Sequence, residues 1–565
     1  MKPVNLKDPV SISFDDLDRV EKHLDYLMSY EIDSVDALVT WLIECGRFSD
    51  AMAEWVSRNN IAFSCDTEDE EAKKRREFDQ KQLIPLATKY SAKLKERLYN
   101  SPYRDSLSDF YSELVKRTVT AIETHRDENI PIETETRGLV NEYFIMQGKM
   151  TVLWNGEEKT LQQMNQYLRS SDRNERERAW KLIQSRRLQD KDALDRIMDQ
   201  LVSLRHKIAL NAGFENYRDY MFKRLNRFEY TPDDCYRFCD AVEKHAVPLY
   251  DKIAREHKRR LQVESYRPWD MKGTPSGQGA LRPFETFDQL VSKSVRVLNR
   301  VDPQFGKLLQ DMSDRGCLDL ETRKGKRPGG FCSRLPVSET SFIFMNGSKS
   351  QDSVRTILHE TGHAVHNLMT SPLQPSDYRS VPAESAELAS MSMELFTMPA
   401  WDEFYPDPDD LKRAQREQLE GIIEFLPWAL TVDSFQHWIY LNSSADADAR
   451  NQKFANIARS LAYHPVDWSG YEEELMHRWK AQLHIFAYPF YYIEYAIAQI
   501  GALQLYKNYK NDKANAVEGY KRALALGSSA PLSKVYATAG IRFDFSEQTI
   551  GELMRFVEDE LADLM

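Results

Sequence analysis

The pentapeptide His359-Glu360-Thr361-Gly362-His363 constrains this chain more than any other segment. It fits HExxH, a pattern that works only on a helix, where residues four apart share a face. Both imidazoles can then hold one metal. Zinc accepts imidazole nitrogens and keeps a position open for water in catalytic sites. Glu360 follows the first His and can reach that water as a general base. The competing reading is a core helix with two satisfied histidines. It leaves unexplained why an acid stands where a base is needed and why further acids follow downstream.

The flanks predict the helix. Ser350-Gln351-Asp352-Ser353 offers N-cap residues, and an apolar run follows through Val354, Ile357, Leu358, Ala364, Val365, Leu368 and Met369 to a stop near Ser371-Pro372. Gly362 is out of place in a helix interior, where it costs about 1 kcal/mol against Ala. Close approach of another backbone, or of substrate, would account for it.

Zinc needs a third protein ligand. The extended metzincin pattern would place Gly at 366 and His at 369, but the chain has His366 and Met369. A carboxylate from a following helix is the alternative. Pro382 opens a helix-forming stretch that carries Glu384, Glu387 and Glu394. Glu387 and Glu394 are seven apart, hence on one face, with Glu384 one turn before. Small residues at Ala386, Ala389 and Ser390 would let this helix pack closely on the first. Any of the three acids could be merely solvated, although an otherwise apolar stretch argues against a wholly solvated face.

HETGHAVH, followed 24 residues after its second His by the first Glu of ELASMSME, resembles the oligoendopeptidase F and thimet oligopeptidase family of zinc peptidases. The resemblance implies one Zn2+ per chain on His359, His363 and Glu387. Glu384 and Glu394 become candidates for orienting the imidazoles. A second match is His484-Ile485-Phe486-Ala487-Tyr488-Pro489-Phe490-Tyr491-Tyr492-Ile493-Glu494-Tyr495. It implies Tyr495 as donor to the oxyanion of a tetrahedral intermediate, with Tyr488, Tyr492 and His484 contacting substrate. The three tyrosines line one face if the helix is continuous, although Pro489 marks a start. Without the resemblance, such a stripe reads as ordinary core.

A third match precedes the metal helix. Residues 318–332 read as short strands around a glycine-rich turn, and Thr340–Gly347 as a further strand and turn. The resemblance implies a small sheet whose edge can pair with an extended peptide, with 341–346 the candidate strand. Gly329 and Gly330 would permit close backbone approach to substrate. Arg323, Lys324, Lys326 and Arg327 make no phosphate loop and read as a solvated basic turn.

The remaining sequence narrows the class. A net charge of −12 over 565 residues argues against a nucleic-acid partner. No run approaches the roughly 20 apolar residues of a membrane span. The N-terminal Met1–Pro9 lacks the apolar stretch of a signal peptide, so a cytoplasmic location is expected. Cysteines at 45, 65, 235, 239, 317 and 332 form no CxxC pair, so the catalytic metal is not on thiolates, and Cys235 and Cys239 read as core or surface thiols. His437 and His464 read as packing or local hydrogen bonding, while His366, one turn past His363, could face substrate.

Periodicity predicts a mainly α fold, with an isolated hairpin turning at Asn155-Gly156 and a Pro- and Gly-rich loop from Tyr266 to Pro283. The expected organisation is an N-terminal helical region at 1–130, a helical region with the hairpin at 131–200, and a catalytic domain at 201–565. The resemblance implies two helical lobes around a deep channel, with a small β-sheet beside the zinc helix. The expected function is a zinc endopeptidase acting on short unfolded oligopeptides, with Glu360 activating the water. The alternatives are a zinc carboxypeptidase of similar fold, for which no compelling carboxylate-binding Arg stands out, and a non-catalytic helical binding protein, which the intact Glu360 disfavours.

Overall fold

The computed structural model describes residues 9–564. The stretch expected to lack a signal peptide falls, apart from Pro9, outside the described residues. The chain is mainly helical, with strands β1 (Thr151–Trp154), β2 (Glu157–Thr160), β3 (Leu318–Glu321), β4 (Phe331–Leu335) and β5 (Thr340–Gly347). Among the described residues, no helix is long and apolar enough to cross a membrane.

Two compact units divide the chain, each assembled from three segments. The first takes the described residues up to Ile122, Leu281–Gln415 and Gly501–Phe543; the second takes Glu123–Ala280, Arg416–Ile500 and the described residues from Asp544 onward. The contiguous blocks expected at 1–130, 131–200 and 201–565 do not coincide with these units.

In the first unit, helices Leu17–Ser29 and Val35–Cys65 start at Asp16 and Ser34, whose side chains accept from backbone N–H groups of the first turn. Their apolar faces close on Phe14, Leu24, Leu27, Phe48, Leu83 and Tyr90. Trp41 Nε1 donates to the Leu27 carbonyl at 2.8 Å, so its buried N–H is satisfied. The sheet of this unit runs in the order β3-β5-β4, with β5 parallel to β3 and antiparallel to β4. Ile343, Phe344 and Met345 of β5 are buried. Each such side chain contributes about 1.5–3 kcal/mol through burial. Helix Gln351–Thr370 packs on β5 and on helix Ala383–Thr397.

This topology corrects one expectation. Residues 341–346 lie in the central strand, which uses its hydrogen-bonding groups on both sides and cannot accept a peptide. The outer strand that follows Gly329 and Gly330 is β4.

In the second unit, β1 and β2 pair as the expected hairpin. Asn155 and Gly156 have φ of +54° and +87°, the left-handed pair that a two-residue type I′ turn requires. Val152 and Trp154 pack on Met164, Ala179 and Ile183. Helix Pro232–Leu261 opens with a capping box from Thr231 and Asp234 and lies along helix Glu547–Asp563. The loop expected at 266–283 is present, pinned by buried Asp270, which accepts from Arg173 at 2.8 Å and Arg176 at 2.9 Å.

Candidate active site

The HExxH residues fall within helix Gln351–Thr370, which starts after Ser350 as its flanks predict. His359 and His363 share one face, with ring centres 5.0 Å apart and planes at 87°. Helix Ala383–Thr397 crosses at Gly362. A methyl group on Gly362 would lie 2.6 Å from Ser390 Cα and 2.7 Å from the Ala389 carbonyl oxygen. The glycine therefore serves the approach of a second backbone.

That approach sets Glu387 against both imidazoles. Its Oε2 lies 3.4 Å from His359 Nε2 and 3.8 Å from His363 Nε2. One donor atom from each of the three residues falls within 4.8 Å of the others. The donor set of two imidazoles and one carboxylate, on side chains that are 24%, 21% and 10% exposed, fits a divalent metal that solvent can reach.

Neighbouring groups hold these three side chains in place. The His359 Nδ1–H donates to Glu394 Oε1 at 2.8 Å, turning Nε2 toward Glu387. Arg355 Nε stands 3.6 Å from Glu394 Oε2. His363 bonds instead to the backbone of Ala386. Ser390 Oγ donates to Glu387 Oε2 at 3.0 Å. Glu384 is buried one turn before Glu387, and its carbonyl accepts from Tyr536 Oη at 3.1 Å. Neither Arg355 nor the hydroxyl of Ser390 belongs to the HExxH motif or to the three downstream acids. Both were legible at helical spacing, four before His359 and three after Glu387.

Glu360 is buried, and its Oε2 has no hydrogen-bond partner among the described residues. A buried carboxylate oxygen left open in this way is poised for a partner the protein does not supply. Burial pushes its pKa up to about 7; the His359 charge opposes this, and the Glu387 and Glu394 charges add to it. Burial also pulls His363 down to about 4. For His359, burial is outweighed by the bonds to Glu387 and Glu394, which hold its pKa well above the ordinary value. Burial is likewise overcome at Glu387, which the two imidazoles hold below the usual carboxylate range. His366 is buried rather than open to substrate, and burial lowers it to about 3.

The glycine-rich turn closes beside Glu360. Gly329 has φ +104°, and a methyl group on Gly330 would sit 3.7 Å from Glu360 Oε1. Asn346 Nδ2 donates to the Gly329 carbonyl at 2.9 Å. The basic residues of the turn are not all solvated, contrary to expectation. Lys324 is exposed, but the Lys326 side chain is fully buried. Its ammonium donates to the carbonyls of Asp319, Glu321 and Met345 and to Asp319 Oδ1, at 2.6–3.0 Å. Those acceptors compensate the buried charge and tie the turn to β3 and β5.

His484 and the tyrosines belong to the second unit. Their helix is not continuous: Leu483–Ala487 ends before Tyr488, and the next helix starts at Tyr492. Between them Phe490 adopts φ +65°, rare for a bulky residue. Its N–H donates to Gln436 Oε1 at 3.1 Å, and the Arg227 guanidinium donates to its carbonyl. The break still gathers the rings. Those of Tyr488, Tyr491, Tyr492 and Tyr495 have centres 6.0, 6.2, 4.8 and 6.0 Å from that of His484. Burial pulls the His484 pKa down to about 4. His464 pairs with Asp251 at 2.9 Å, as a locally bonded histidine should.

Residues 166–555 match the model for Peptidase family M3, and residues 11–124 match that for the Peptidase M3 N-terminal domain. Among curated relatives, the chain is 23% identical to the plasmid oligoendopeptidase F of Lactococcus lactis subsp. cremoris, over 69% of this chain and 65% of that protein. It is also 23% identical to group B oligopeptidase PepB of Streptococcus agalactiae serotype III (strain NEM316), over 59% of this chain and 55% of the relative. The matches therefore span between half and two thirds of those relatives' length. Among solved structures, Pz peptidase A with an inhibitor superposes with a TM-score of 0.89 at 25% identity, covering 98% of this chain and 99% of that one.

Proposed function

The chain belongs to Peptidase family M3, and on that premise we propose that it is a zinc-dependent endopeptidase that hydrolyses internal bonds of short, unfolded oligopeptides. The observation that carries this reading is a single arrangement. His359, His363 and Glu387 converge their donor atoms within 4.8 Å, and the open Oε2 of Glu360 stands on the same helix. The names of the relatives, oligoendopeptidase F and oligopeptidase PepB, support the substrate class.

His359, His363 and Glu387 would hold the zinc, which when bound supplies Lewis acidity toward a carbonyl and a water. Glu360 takes a proton from the attacking water onto its free oxygen and returns it to the departing amine. A base near neutrality suits both directions of that transfer, and burial supplies the upward shift to about 7. Gly330 leaves room beside Glu360 for a peptide backbone. The outer strand β4 is the edge along which an extended substrate could lie. Tyr495 is assigned as hydrogen-bond donor to the developing oxyanion, with Tyr488, Tyr492 and His484 as substrate contacts. The six cysteines form no disulfide among the described residues, which suits a reducing compartment, so the reading places the enzyme in the cytoplasm.

The test is a single-turnover assay of Glu360→Gln, loaded with zinc, on a peptide blocked at both ends. Retained metal and lost cleavage are expected; cleavage at the wild-type rate would remove Glu360 from its role.

A further inference from the structure

Two helices of the second unit each present a pair of donors at helical spacing. Cys235 and Cys239 lie on Pro232–Leu261, and Asp433 and His437 on Pro408–Leu441. Residues four apart share a face, so each helix aims both of its donors the same way. Cys235, Asp433 and His437 are 2%, 1% and 1% exposed. Each offers one donor atom within 4.8 Å of the other two.

Polar atoms of Asp433 and His437 in this cluster are not satisfied. Asp433 Oδ2 lies 3.2 Å from His437 Nε2. Yet Asp433 Oδ1 and both ring nitrogens of His437 have no hydrogen-bond partner among the described residues. The neighbours of the imidazole are aromatic rings. The rings of Tyr236, Phe490 and Phe222 pack around the imidazole, with centres 4.9, 5.4 and 5.7 Å away. A proton shared between Asp433 and His437 would satisfy one oxygen and one nitrogen and leave the others open. A cation would answer the open atoms of the carboxylate and the imidazole, with the Cys235 sulfur as a third donor within reach.

A fourth donor stands one turn away. Cys239 Sγ lies 3.3 Å from Ser434 Oγ, on the residue next to Asp433. Cys239 stands outside the group of three, so its entry as a donor requires a side-chain rotation away from Ser434. Two thiolates, an imidazole and a carboxylate form a donor set of the kind that zinc accepts in closed, four-coordinate sites.

We propose that Cys235, Asp433 and His437, with Cys239 turned in as the fourth donor, form a second metal site of zinc type that ties these two helices together. Metal entry expels the thiol protons to solvent, and no other bond changes. With no open position and little exposure, the site is structural. It is independent of the peptidase reading, because its donors lie outside His359, His363 and Glu387.

The test counts metal in zinc-reconstituted, desalted protein whose first site is emptied by His359→Ala and Glu387→Ala. This double variant should keep about one equivalent of zinc per chain, and adding Cys235→Ser and His437→Gln should remove it. The proposal is overturned if the double variant keeps none, or if the added substitutions leave the metal in place. Should the fourfold variant not fold, cobalt loading of the double variant decides. A thiolate-to-cobalt charge-transfer band in the near ultraviolet is expected, and only a cysteine ligand can give it. Cobalt bound without that band, or no cobalt bound, overturns the proposal.

Discussion

Glu394 Oε1 accepts the Nδ1–H of His359 at 2.8 Å, which orients the ring and turns Nε2 toward Glu387 Oε2, 3.4 Å away. A carboxylate behind a metal-binding imidazole raises its basicity and holds its orientation. Replacing Glu394 by Ala should lower zinc affinity at this site by about 10–100-fold. A competition titration against a chelator measures it, and unchanged affinity would show that the pair is incidental.

The ligands themselves should matter more. Either His359→Ala or Glu387→Ala should cost about one equivalent of metal per chain, since the remaining two donors no longer form a zinc site. Elemental analysis after reconstitution reads this directly. Full retention in both variants would refute the ligand assignment.

Gly362→Ala sets two local effects against each other. Alanine favours the helix by about 1 kcal/mol, but its methyl would meet Ser390 Cα at 2.6 Å and the Ala389 carbonyl at 2.7 Å. Both contacts are backbone, so the helices must separate, and overpacking of that kind costs about 1–3 kcal/mol. The variant should be less stable in denaturant titration and bind zinc more weakly, because Glu387 moves with its helix. A more stable variant with unchanged metal binding would contradict the packing described.

Tyr495→Phe removes one hydroxyl and keeps the ring. If Tyr495 donates to the oxyanion, kcat should fall about 10²-fold or more, with zinc content and KM little changed. Phe at 488 and 492 provides the comparison. Near-wild-type kcat in all three variants would return the cluster around His484 to ordinary packing.

The helix Gln351–Thr370 was legible because its signals are local: the apolar spacing and the i,i+4 histidines lie within one stretch of chain. Gly362 even announced a close neighbour, though only the structure identifies it as the backbone at 389–390. The strand order was not legible. Nothing in Thr340–Gly347 reveals that β3 and β4 flank it on both sides, because strand partners are set by long-range pairing. The units were hidden for a similar reason. Their boundaries at 415/416 and 500/501 fall inside helices, where no loop composition marks them. Lys326 looked solvated because a basic run usually is. Its acceptors are backbone carbonyls, which have no sequence signature.

The central claim is that His359, His363 and Glu387 hold the metal while Glu360 moves the proton in cleavage of internal peptide bonds. Mass spectrometry of products from a short peptide blocked at both ends tests it most directly, using wild-type protein and zinc-loaded Glu360→Gln side by side. The account predicts internal fragments from the wild type and intact peptide from the variant at equal metal content. An untouched blocked peptide with wild type, or the same fragments at the same rate from both proteins, would contradict it.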